Sequence, residues 1–161
     1  MALKGDRQQG LWDLSAFMNS VAERGGIVAF SGATASGVAM DQSELTVDYV
    51  ANPSGVKPFG MLMQDVVNKD LTQTRIDPYK NEVQVGGKVA TQSICEVTTD
   101  MIYPGHTPAP GDPAYLGHSG FIGNVDVATD AVDITGATRK IGQFRTGPNE
   151  GGFCRVRVNI Q

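Results

Sequence analysis

Apolar and polar residues alternate most regularly near the end of the chain. In the segment 153–160, Cys154, Val156, Val158 and Ile160 fall on one side, and the other side is mostly basic or amide. Alternation with a period of two is typical of a strand that has one buried and one solvent-exposed face. The pattern therefore predicts a final strand with these four residues in the core.

Shorter apolar runs, separated by turn residues, recur along the rest of the chain. They predict further strands at 45–50, 59–67, 88–102, 114–116, 125–127, 132–134 and 141–144. The run 59–67 is expected to begin as a strand and to end in a short helical turn. The 20 glycines and the proline-rich stretch Tyr103–Pro113 indicate many tight turns and one exposed loop. The pattern as a whole predicts a mainly β fold with long loops.

The double glycine Gly86-Gly87 separates two strand-like runs, one at 82–85 and one that starts at Lys88. Two-residue hairpin turns of the primed types need positive φ angles, which glycine adopts at little cost. The sequence therefore predicts an antiparallel hairpin here.

The segment ahead of the β region has two interpretations. Leu11, Leu14, Met18 and Val21 recur at helical spacing, which favours a short helix. The alternative is an extended arm that docks Trp12 and Phe17 onto a neighbouring molecule. On either interpretation the chain divides into an N-terminal arm at 1–26 and a β domain at 27–161.

Composition restricts the partners and the compartment. The chain has 161 residues and a formal net charge of −4, whereas a nucleic-acid binder normally carries a basic face. It shows neither a signal peptide nor an apolar stretch long enough to span a bilayer. We therefore expect no nucleic acid and no membrane among its partners, and a reducing cytoplasm as its place of synthesis. The two cysteines, Cys95 and Cys154, are expected to be buried free thiols.

Charge is unevenly distributed along the second half of the chain. Residues 89–138 contain acids but no Lys or Arg, whereas 139–161 contain Arg139, Lys140, Arg145, Arg155 and Arg157. Ordinary solvated strand faces would account for this pattern. The alternative is electrostatic complementarity between neighbouring copies or with a larger assembly.

Several short patterns approach catalytic or ligand-binding motifs but lack an essential residue. Gly86-Gly87-Lys88 has no following Ser or Thr, as a phosphate loop requires. The segment that starts at Gly117 has Phe121 where a nucleophile elbow of the form G-x-S-x-G needs its second glycine. His106 and His118 have no further zinc ligands nearby in sequence and are expected to lie in solvent. We expect no catalytic residues, no cofactor and no metal, so the chain is not expected to be an enzyme.

Five groups of residues occur in a characteristic order: Pro58–Leu62 with Gln64–Asn68 and Asp70–Thr72; Asn81–Val89; Pro110–Leu116 with Gly120; Lys140–Phe144; and Gly152–Val158. In order and spacing they resemble the head decoration (capsid cement) proteins of tailed bacteriophages. The resemblance covers roughly residues 45–160.

The resemblance implies a small β-barrel or β-tulip-like domain on the outer surface of an expanded capsid. Such a protein is made in the host cytoplasm, forms a homotrimer and clamps major capsid proteins together. The residues expected to dock onto that partner are Leu11, Trp12, Leu14, Phe17 and Met18 of the arm and Tyr103, Pro104, His106 and Pro108 of the loop.

Two other functions remain open at this point. The first is a phage tail- or fibre-associated module that binds host polysaccharide through its loops, with Tyr103 and Tyr115 as contact residues. The second is a small hydrolase, which would need the fold to bring a pair of catalytic groups together.

Overall fold

The computed structural model describes residues 3–13, 15–31, 45–53, 56–69, 81–124 and 140–160. These residues form a mainly β structure, as the sequence predicted, with a single 3₁₀ turn at His118–Gly120. None of the described helical residues builds a segment long and apolar enough to cross a membrane. The strands are β1 (Leu3–Asp13), β2 (Phe17–Met18), β3 (Ile27–Ser31), β4 (Thr46–Asp48), β5 (Pro58–Leu62), β6 (Asp65–Val67), β7 (Glu82–Gln84), β8 (Thr91–Thr99), β9 (Pro113–Leu116), β10 (Ile122–Asn124), β11 (Lys140–Phe144) and β12 (Cys154–Asn159).

Nine of these strands form one sheet in the order β10-β9-β11-β12-β8-β5-β3-β4-β2, and β1 joins it as the tenth strand by pairing with β8. The strands β6 and β7 form a separate parallel pair. Within the described chain the main order ends at β10 and at β2, so these strands form an open sheet.

Strand β8 is the branch point of the main sheet because it pairs with three strands, β1, β5 and β12. Gln92 lies opposite Trp12 of β1 and also opposite Met61 of β5. Thr99 lies opposite Leu3 of β1 and also opposite Cys154 of β12. A residue has one neighbour on each edge, so β1 follows one edge of β8 while β12 and β5 share the other. The first strand is thus an integral part of the sheet.

The N-terminal segment is therefore extended rather than helical, and it pairs with its own chain. Phe17 and Met18 form β2, which runs parallel to β4, and Ala22 bridges to Val66. Met18 and Ala22 belong to the same buried cluster as Val66. A division of the chain at residue 26 would cut through this cluster.

Two clusters of apolar side chains make up the core. The larger includes residues of β3, β5, β8, β9, β10, β11 and β12, and the smaller includes residues of β2, β3, β4 and β6. Cys154, Val156 and Val158 are fully buried in the larger cluster, which confirms the predicted alternation of the last strand. Ile160 lies beyond the end of the strand and is only half-buried against this cluster. Burying a Val, Leu, Ile or Phe side chain stabilises a fold by about 1.5–3 kcal/mol, so this one face makes a substantial contribution.

The predicted hairpin at Gly86-Gly87 is wrong. A turn is present, since the Gly87 amide donates to the Gln84 carbonyl (2.9 Å) and Gly86 has a φ of 84°. Of the two central residues, Val85 and Gly86, only the second has a positive φ, which is typical of a type II turn and not of the primed hairpin turns. The chain beyond the turn diverges, so β7 pairs with β6 and β8 begins only at Thr91.

The other strand predictions have mixed outcomes. The runs 45–50, 114–116 and 141–144 contain β4, β9 and β11, and 88–102 contains the shorter β8. The helical turn expected within 59–67 is wrong, because the backbone forms β6 with the Asp65 amide bound to Asn81 and the Val66 amide bound to Ala22. The predicted strands at 125–127 and 132–134 lie outside the described residues.

Candidate functional site

A chain of polar groups fixes the proline-rich loop. Nδ2 of Asn124 donates to the Asp112 carboxylate (3.1 Å), and the Ala109 amide donates to the same oxygen (2.8 Å). Because a carboxylate only accepts, the Asn124 amide nitrogen faces Asp112 and its oxygen faces His106. Nδ1 of His106 therefore donates to Oδ1 of Asn124 (3.0 Å). The hydrogen bonds from Ala109 and then Asn124 hold the pKa of Asp112 below its usual range.

Aromatic rings pack around the same loop. The Tyr103 ring makes edge contacts with His106 (5.0 Å between centroids) and with Phe121 (6.3 Å). The His118 ring lies tilted against Tyr103, with 6.4 Å between the centroids, and is hydrogen-bonded through Nδ1 to the Ala51 carbonyl. Both histidines are half-buried and hold the fold together, so the expectation that they lie free in solvent is wrong.

Of the four loop residues predicted to dock, only Pro104 is exposed. Pro108 is buried, and Tyr103 and His106 are half-buried in the contacts described above. The loop has no strand before β9, as predicted, but its polar and aromatic side chains mostly contact each other.

The predicted docking residues of the N-terminal segment divide in the same way. Trp12 is 55% exposed, whereas Phe17 and Met18 are 1% and 0% exposed. The two buried side chains pack within their own chain, so in the folded protein they present no docking surface. Leu11 pairs through its backbone with Ile94, and Leu14 lies outside the described residues.

The cysteines are buried free thiols, as predicted. Burial raises the pKa of Cys95 to about 12 and also raises the pKa of Cys154. Thiols are nucleophilic only as thiolates, so both side chains behave as small apolar groups at neutral pH. Across the described ranges, no group of three or more His, Cys, Asp and Glu side chains could hold a metal ion.

The strands β8, β12 and β11 present one exposed face to solvent. Ile94 lies opposite Asn159, and Arg157 lies opposite both Glu96 and Gln143. Directly opposed residues in a sheet project to the same side. We call the surface formed by these five side chains the outer face. It combines an apolar residue, Ile94, which is 42% exposed, with charged and amide groups.

An open groove of about 330 Å³ crosses this face along β11 and β12, and we call it the basic groove. It is lined by Lys140, Gly142, Gln143, Arg145, Arg157 and Asn159. The three cationic residues are exposed, and no carboxylate of the described chain forms an ion pair with any of them. The cluster of bases in 139–161 signalled this charge in the sequence, although no residue of it was predicted as a site.

The floor of the basic groove depends on Gly142. A β-carbon at this position would lie 1.9 Å from the carbonyl oxygen of Arg157, well inside contact distance. Glycine therefore allows β11 to lie against β12, with Gln143 directly opposite Arg157. Nε2 of Gln143 is fixed by donation to the Gly111 carbonyl (2.8 Å).

Searches against protein-family models and against curated proteins find no match for this chain.

Proposed function

We propose that this protein is a structural virion protein that binds the outer surface of the expanded capsid of a tailed bacteriophage. There it stabilises the shell by clamping major capsid proteins together. The proposal is supported by the order of sequence pieces that resembles phage decoration proteins and by the mainly β fold. The observation that carries it is the outer face, where exposed Ile94 lies on the same side of the sheet as Arg157, which forms no ion pair within the described chain.

This surface composition suits protein–protein contact. Specific interfaces combine an apolar centre with a polar, charged rim, and large numbers of weak contacts on a shell reinforce one another through multivalency. Trp12 adds a second exposed apolar side chain, at the end of β1. The internally bonded loop at His106, Asn124 and Asp112 gives the domain a fixed shape for such contacts.

The proposal also includes the shape, assembly and docking of the protein. We propose a small barrel or β-tulip form of the complete domain, assembly as a homotrimer, and docking through Trp12, Pro104 and the outer face. The protein is made in the host cytoplasm and acts on the virion surface. Its acidic net charge of −4 opposes non-specific binding to the packaged or surrounding nucleic acid.

The test is co-sedimentation of the purified protein with unexpanded and expanded capsids of its own phage, together with its mass in solution. We expect binding to expanded shells alone, saturating at a fixed ratio to the capsid protein. Ile94→Thr should lower the occupancy. Val21→Thr is the matched control, because Val21 is a β-branched residue that is 64% exposed and lies outside the outer face.

Failure to bind either kind of shell would refute the proposal. Binding to immobilised host polysaccharide instead, with a loss on Tyr115→Ala, would establish the tail- or fibre-associated alternative. Equal loss of occupancy in both valine and isoleucine variants would show that the outer face has no special role.

A further inference from the structure

The basic groove is unusual because it concentrates positive charge on an acidic protein. Lys140, Arg145 and Arg157 line one groove, while the whole chain carries a net charge of −4. Neighbouring Arg155 differs, since its Nε lies 4.0 Å from the Glu96 carboxylate and it does not line the groove. Like charges that line one groove attract an anion together, and at an exposed site this attraction weakens as salt is added.

The chemistry of the groove matches carboxylates. A guanidinium group offers a planar fork of donors that binds a carboxylate through two parallel hydrogen bonds. Arg145 and Arg157 supply two such forks, and Lys140 supplies a third positive charge. The amide of Asn159 can both donate and accept, which suits the backbone of a peptide that carries the carboxylates.

Two observations favour a short acidic peptide segment over a long polyanion. The negative net charge of the protein repels an extended polyanion at long range, whereas a short segment interacts with the local positive charge. Among the described residues, the lining of the groove includes no aromatic side chain, and aromatic rings are what single-stranded nucleic acids stack upon.

We propose that the basic groove formed by Lys140, Arg145 and Arg157 is a docking site for an acidic segment of a protein partner, whose Asp or Glu carboxylates bind the two guanidinium groups. The charge complementarity between the groove and such a segment carries this inference. It rests on the proposed function only in naming that partner, which would be the shell protein.

The direct test uses a fluorescein-labelled peptide of alternating aspartate and glycine, titrated with the intact protein and followed by fluorescence anisotropy. The same peptide with asparagine in place of aspartate should not bind. Arg145→Gln combined with Arg157→Gln should weaken binding of the aspartate peptide by about tenfold or more. Raising sodium chloride from about 0.05 to about 0.5 M should weaken it as well, because salt screens exposed charges.

Arg157→Gln alone is compared with a matched control, because each of the two variants removes one positive charge from the same strand. The control is Arg155→Gln, which lies two residues from Arg157 but outside the groove. We expect its affinity for the peptide to stay within about twofold of the unaltered protein, since a surface ion pair contributes little. Equal losses in the control and the groove variant would refute a specific site, and so would an absence of peptide binding. Tighter binding of a heparin oligosaccharide than of the peptide would refute the choice of a peptide ligand.

Co-sedimentation with expanded shells separates this inference from the proposed function. If the unaltered protein binds shells and the double variant binds them equally well, the groove inference fails and the function stands. If no shell is bound but the peptide still depends on the groove, the function fails and the docking site stands.

Discussion

At the scale of single residues, polar side chains tie distant parts of the chain together. The hydroxyl of Tyr49 accepts from the Gly26 amide (3.1 Å) and donates to the Glu23 carbonyl (2.6 Å). A β-carbon on Gly26 or Gly120 would lie within 2.7 Å or 2.4 Å of the tyrosine side chain. Tyr49 therefore holds β4 against the Glu23–Gly26 turn and the 3₁₀ turn.

Tyr49→Phe should lower the free energy of unfolding by about 1–3 kcal/mol, because it leaves a backbone donor and acceptor without partners. Urea denaturation followed by far-UV circular dichroism measures this change. Tyr115→Phe is the control, since Tyr115 is also half-buried but its hydroxyl makes no hydrogen bond within the described structure. A change below about 0.5 kcal/mol is expected for the control. Equal effects in the two variants would contradict the assigned role.

The raised pKa of Cys95 predicts a pH dependence in the alkaline range. Burial raises this pKa from 9.0 to about 12, so above pH 9 the unfolded chain releases a proton that the folded chain retains. The contribution of the Cys95 thiol to stability is therefore fully present below pH 9 and is lost as the pH rises toward 12. Urea midpoints across this range should fall less steeply for Cys95→Ala. An identical slope in the variant would show that Cys95 does not contribute.

At the scale of secondary-structure elements, strand pairing depends on how closely neighbouring backbones approach. Gly142→Ala places a methyl group 1.9 Å from the Arg157 carbonyl, so β11 and β12 must move apart. Overpacking of this kind costs about 1–3 kcal/mol. Gly152→Ala provides the comparison, because Gly152 has a φ of 77° but open space around it, and it should cost only about 1 kcal/mol of backbone strain. Thermal unfolding of both variants tests whether Gly142→Ala is the more destabilising, and a smaller loss of stability for Gly142→Ala than for Gly152→Ala would contradict this prediction.

The burial of the N-terminal segment makes a second prediction at this scale. Phe17→Ala should cost about 3–5 kcal/mol, since Phe17 is 1% exposed, whereas Trp12→Ala should cost much less, since Trp12 is 55% exposed. Denaturant titration of the two variants gives the difference. A small cost for Phe17→Ala would indicate that the segment is an accessory arm, as the sequence first suggested.

At the scale of the whole molecule, the sequence predicts structure that depends on neighbouring residues, but it does not predict which distant strands pair. The alternation around Val156 requires only neighbouring residues, so the last strand and its buried face were predicted correctly. The spacing of Leu11 and Met18 fits a helix equally well, and only pairing with distant β8 and β4 makes this segment extended. The basic groove depends likewise on the register that places Gln143 beside Arg157, which no local signal contains.

These pairings predict that the chain unfolds as one cooperative unit. Trp12 is the only tryptophan, and it lies on β1 opposite Gln92 of the central strand. If β1 is integral to the sheet, the change in tryptophan fluorescence in urea should coincide with the loss of far-UV circular dichroism, as two-state unfolding requires. A separate arm at 1–26 would instead release Trp12 at a lower urea concentration than the rest of the chain. Both measurements are then repeated with Phe17→Ala, which removes a core side chain. If β1, β2 and the β domain share one core, the fluorescence and circular dichroism transitions should shift together. If they do not, the fluorescence transition should shift alone.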